Sequence, residues 1–131
     1  MKFWIFMFIM NLLIPIIMII FGKLFIKNAP KSINMAYGYR TSMSMKNKDT
    51  WSYAHKLFGG IWYKLGFVLL ILSIIASLFI LNRSENIIST VTLIIQTTEM
   101  IVLILPIFYV EKKLKNIFDS DGNRKSIEDI K

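Results

Sequence analysis

Three long apolar runs confine this chain to a membrane. Residues 3–22 carry no charge, residues 65–81 carry none, and residues 87–110 carry one, Glu99. A helix rises ~1.5 Å per residue and the hydrocarbon layer is ~30 Å thick, so about 20 apolar residues span it. The first and third runs reach that length unaided. The second reaches it when Ile61, Trp62 and Tyr63 are added, with Lys64 near the interface. The reading is an all-α integral membrane fold with transmembrane helices near 3–22, 61–81 and 87–110. A mean hydropathy of +0.56 agrees, being too high for a soluble domain of 131 residues. The first run follows Lys2 as a signal peptide would, but it exceeds the usual ~7–15 apolar residues and no A-x-A site follows, so it reads as a retained span.

Charge gives the expected orientation. Of the 16 basic residues, eight lie in 23–64 and six in 111–131; Lys2 and Arg83 are the other two. Three spans put the loop and the tail on one side, so the split is 14 against 2. Basic residues flanking spans stay in the cytoplasm, which places the amino terminus outside and the carboxy terminus inside a bacterial cell membrane. The net charge of +8 is accounted for by this pattern, and no separate basic domain points to nucleic acid.

Between the runs the pattern is irregular. Asn11 and Pro15 interrupt the first span, where proline predicts a kink. Asn28-Ala29-Pro30 ends it. From Asp49 onward, Trp51, His55, Phe58 and Trp62 recur on one helical face, predicting a short amphipathic helix on the membrane surface, with Gly59-Gly60 as a bend before the second span. Residues 82–86 form a tight hairpin, and Glu111–Phe118 is expected to prolong the third helix by two turns. One membrane domain, residues 1–118, and a flexible tail, 119–131, complete the expected layout.

The candidates for chemistry are few. The chain has no cysteine and one histidine, which excludes disulfides and thiol chemistry and argues against a metal site or other cofactor. No Ser/His/Asp set, P-loop or other catalytic motif is present, so an enzyme is not expected. Glu99 lies mid-span, where a charge costs ~2.5–3.5 kcal/mol. It should be shielded by other helices, with Gln96 and Thr92 on its own face and Asn11 as a partner across the bundle. It reads either as an intramembrane proton or ligand site or as polar glue between helices. His55 reads as a titrating group or as an interfacial hydrogen-bonding residue.

The segment 34–55 carries the most specific pattern. Gly38 permits a tight turn. Asn34, Thr41, Ser44 and Asn47 suit turns and caps. The guanidinium of Arg40 is expected to tie the loop down through loop carbonyls or a carboxylate such as Asp49 or Glu111, with anionic lipid headgroups as the plainer partner. The order Asn34, Gly38-Tyr39-Arg40-Thr41, Ser44-Met45, Asn47, Trp51 and Ala54-His55 resembles the signature of the SdpI family of bacterial membrane proteins, named for immunity to a secreted killing toxin. The resemblance covers about residues 10–110. Longer members carry additional amino-terminal helices. It implies resistance to a membrane-active peptide toxin and, as in the founding system, sequestration of a cytosolic transcriptional repressor at the membrane. The competing reading is a small oligomeric transporter or channel component using Glu99.

Overall fold

The computed structural model describes residues 1–34 and 36–126. It contains three long helices: α1 (Lys2–Asn28), α2 (Lys48–Phe79) and α3 (Glu85–Ile117). Among the described residues these are the three helices long and apolar enough to cross a membrane.

Local chemistry sets the helix ends. α1 stops where Pro30 disfavours the helical conformation of Ala29, with Lys27 in its last turn beside the exposed carbonyls. α2 starts on a reciprocal cap. The Asn47 side-chain oxygen accepts from the Thr50 backbone N–H at 2.9 Å, and the Thr50 hydroxyl oxygen accepts from the Asn47 N–H at 3.1 Å. Asn82 adopts φ 67° in the turn after α2, a left-handed conformation that asparagine tolerates well. Ser84 then opens α3, its carbonyl receiving the Ile88 N–H at 3.0 Å.

Two expectations are corrected. The amphipathic segment is no separate helix: α2 runs unbroken from Lys48 through Gly59-Gly60 to Phe79. α1 continues as one helix through Asn11 and Pro15, and α3 through Pro106. Residues 119–126 are not a loose tail. Phe118 and Arg124 form an antiparallel bridge, the Asp119 N–H donates to the Asn123 carbonyl, and the Lys125 N–H donates to the Ile117 carbonyl, each bond 2.8 Å. Gly122, at φ +85°, makes that turn possible. Residues 127–131 of the expected tail lie outside the described residues.

The chain divides into two compact units, and each helix contributes to both. The first comprises 1–21 and 62–104. Its outer surface is apolar, with Ile5, Phe6, Ile9, Val68, Ile71, Leu72, Leu93, Ile94 and Ile101 exposed, while Asn11, Ser73, Ser77, Thr92 and Glu99 are buried. Polar inside and apolar outside is the arrangement a lipid solvent demands. Gly66 lets α1 come close: a Cβ there would lie 2.8 Å from Ile19 Cγ1 and 3.1 Å from the Pro15 carbonyl oxygen. The Trp4 indole N–H donates to the Ser77 carbonyl at 2.9 Å, and that of Trp62 to the Leu103 carbonyl at 3.2 Å.

The second unit comprises 22–61 and 105–131. Phe25, Tyr39, Met43, Trp51, Ala54, Phe58, Val110, Leu114 and Phe118 form its buried core. Here Gly59 meets α1, where an added Cβ would come within 2.8 Å of the Gly22 carbonyl oxygen and of Phe25 Cβ.

Candidate functional site: an ordered signature loop

The segment between α1 and α2 is short of regular structure but dense in hydrogen bonds. Asn34 starts it with an Asx turn, its side-chain oxygen accepting from the N–H groups of Ala36 (2.9 Å) and Tyr37 (2.7 Å). The chain then reverses at Gly38, whose φ is +114°. Any Cβ at Gly38 would lie 2.6 Å from His55 Nε2 and 3.2 Å from the Trp51 ring. The loop backbone therefore lies directly on the first two turns of α2.

His55 makes the central junction. It is fully buried. Its Nε2 accepts the Tyr39 N–H at 2.9 Å, and its Nδ1 lies 2.8 Å from the Trp51 carbonyl oxygen. That pairing fixes the neutral ring as the Nδ1–H tautomer, since a proton on Nε2 would point at another donor. The ring also meets Phe25 edge-on at 5.1 Å between centroids and Trp51 at 4.2 Å. Trp51 is 2% exposed and its indole N–H donates to the Pro30 carbonyl at 2.7 Å. One aromatic pair on α2 thus clamps the loop at two points, Pro30 and Tyr39.

Tyr39 connects the loop to α3. Its ring packs on Phe58, and its hydroxyl donates to Glu111 Oε1 at 2.7 Å. Burial, and then the neighbouring carboxylate, push the phenol well above its ordinary range, so it stays protonated and keeps donating. Further on, Thr41 and Ser44 close a small loop. The Thr41 N–H donates to Ser44 Oγ at 2.9 Å, and the Ser44 N–H to Thr41 Oγ1 at 3.1 Å. The Ser44 hydroxyl, fully buried, has the Tyr39 carbonyl oxygen at 3.0 Å. Asn47 caps α2 with its oxygen and uses its amide nitrogen to donate to the Gly122 carbonyl at 2.6 Å. Asp49 receives a two-pronged guanidinium at 2.7 and 2.8 Å, but from Arg124.

Gly38, Thr41, Ser44, Asn47, Trp51 and His55 are therefore brought together in one network, while Asn34 shapes the turn that leads into it. Arg40 is exposed. Of the two carboxylates expected to receive it, Asp49 takes Arg124 and one oxygen of Glu111 takes Tyr39. Sequence reasoning named Tyr39 only as a signature position and Glu111 only as a partner for Arg40, and it missed Phe25 as a member of the network.

Asn11, Gln96 and Glu99 are not part of this loop network; all three belong to the other unit. Asn11 donates to Ser77 Oγ at 3.2 Å and to Thr92 Oγ1 at 3.5 Å. Glu99 is buried as expected for a mid-span acid, but its partner is Ser73, whose hydroxyl donates to Oε1 at 2.7 Å. The expected Asn11–Glu99 pair is replaced by two separate polar contacts, because α2 offers a serine to each. Gln96 is half-buried.

The network sits inside a recognisable family segment. The model of the SdpI/YfhL protein family matches residues 31–110, which include the whole signature loop. The chain belongs to the SdpI/YfhL family. It is similar to the uncharacterized protein YfhL of Bacillus subtilis (strain 168), at 32% identity over 110 residues, covering 84% of this chain and 90% of the relative. No solved structure matches it. SdpI-family membership and three membrane-length helices make it a multi-pass membrane protein of an immunity-type family, one not known for enzymes.

Proposed function

We propose that the chain protects a bacterium against a secreted, membrane-active peptide toxin without catalysing a reaction. The observation that carries this reading is the packing of signature residues Tyr39, Ser44, Trp51 and His55 into one buried hydrogen-bonded network. A loop so tightly held keeps a fixed surface, and fixed surfaces bind at lower entropic cost. Binding of the peptide toxin, and holding of a cytosolic repressor on the basic face, are the two contacts this surface would serve. Exposed Lys31, Arg40, Lys46, Lys48 and Lys56 give that face its charge and suit anionic lipid headgroups as well. The test is expression in a toxin-sensitive bacterium challenged with secreted peptide toxins. Survival above the empty-vector control is expected, and equal killing would refute the proposal.

The proposed orientation places the loop and carboxy terminus in the cytoplasm, on the strength of the 14-to-2 charge split. A carboxy-terminal alkaline phosphatase fusion, active only outside the cytoplasm, should be silent; activity would reverse the topology. Glu99→Gln, which replaces an acid by a neutral side chain of like shape, is expected to retain most of the protection. A proton-coupled transporter would lose its flux with the same change, so flux loss in reconstituted vesicles would favour the transporter reading.

A further inference from the structure

We infer that Glu99 is a reversible proton-binding site within the hydrocarbon layer, reached from the lipid through a groove between α2 and α3. Three observations carry this. First, the carboxyl is 1% exposed and half-satisfied: Ser73 donates to Oε1, while Oε2 is buried with no hydrogen-bond partner. A carboxylate has acceptor capacity on both oxygens, and leaving one oxygen orphaned in an apolar setting is costly. A proton on Oε2 removes the charge that creates that cost.

Second, among the described residues nothing nearby neutralises the charge in another way. α1 presents Asn11 to this unit's interior, α2 presents Ser73 and Ser77, and α3 itself carries Thr92, Gln96 and Thr98, none of them titratable. Besides Glu99, the charged residues of the unit are Lys2, Arg83 and Glu85, at or beyond helix ends, and Lys64, midway along α2. Glu85 is about 20 Å along α3 from Glu99 at the helical rise. Lys64 is separated from Ser73 by about 13 Å of α2 by the same measure. An acid with no cation in reach takes up a proton.

Third, the site has an entrance. A groove of about 160 Å³ runs beside the carboxyl, lined by Leu69, Leu72, Ser73, Ile94, Thr98 and Glu99 among others. Leu72, Ile94 and Thr98 are exposed, so the groove opens on the surface that faces lipid. The Ser73 and Thr98 hydroxyls donate to Glu99 and to the Ile94 carbonyl, and the remaining lining is apolar, which suits entry of a hydrophobic reagent. The site thus differs from a sealed polar contact that merely joins two helices.

A fluorescent hydrophobic carbodiimide, which reacts with protonated carboxyls from the lipid phase, tests the assignment on the full-length protein in phosphatidylcholine vesicles. Modified residues are mapped by mass spectrometry. The expected result is modification at Glu99 that is absent in Glu99→Gln. Its initial rate should fall with rising pH, by about tenfold per unit once the deprotonated form predominates. A water-soluble carbodiimide in parallel should label exposed Glu85 and spare Glu99. Failure to modify Glu99, or a rate independent of pH, would overturn the proposal. So would protection by sodium at fixed pH, which would make the site one for a metal cation.

Discussion

Replacing Gly38 by alanine is expected to abolish toxin protection while leaving all three helices in the membrane. Alanine at φ +114° stores roughly 1–3 kcal/mol of backbone strain. Its Cβ would also fall 2.6 Å from His55 Nε2, inside van der Waals contact, where the neighbouring group is a buried ring bonded on both nitrogens. The loop can relieve the clash only by lifting off α2, which breaks the Tyr39–His55 bond and exposes Trp51. A shift on the order of 100-fold toward the opened loop follows from the upper end of that strain alone. Limited proteolysis of membranes reads it directly: residues 29–47 should be cut rapidly in the variant and slowly in the wild type. Wild-type protease resistance together with full protection would show that the loop geometry has no part in function.

Trp51→Ala is expected to lower stability most. Removing a large buried aromatic side chain typically costs about 3–5 kcal/mol. Here it also deletes the N–H that holds the Pro30 carbonyl and one wall of the His55 pocket. Thermal unfolding in detergent should show a clear drop in Tm. Trp51→Phe, which keeps a ring and loses the donor, should fall between. An unchanged Tm in Trp51→Ala would mean that the loop is held by contacts other than this clamp. By contrast, Arg124 and Asp49 are both exposed, and an exposed pair contributes little after screening.

The spans were legible in the sequence because lipid imposes a length and an apolar composition that the three runs meet almost unaided. The loop was legible in its parts: Gly38 as a turn, Asn47 as a helix start, and Trp51 and His55 on one face. What was hidden depends on distance along the chain. Gly59-Gly60 within that face suggests a bend, yet Gly59 is there to admit the backbone of α1. Asn11 and Glu99 looked like natural partners as mid-span polar residues, but Ser77 and Ser73 on α2, reading as ordinary small residues in an apolar run, take one each. The segment after Phe118 read as a flexible tail, yet the chain folds back so that the Gly122 carbonyl accepts from the Asn47 side-chain amide.

The most direct test of the account is survival of a toxin-sensitive bacterium at matched membrane levels of three proteins: the wild type, Gly38→Ala and Glu99→Gln. The account predicts that cells with the wild type and with Glu99→Gln survive a secreted peptide toxin, and that cells with Gly38→Ala die as the empty-vector control does. Survival with Gly38→Ala, or death with the wild type against every such toxin, would contradict it.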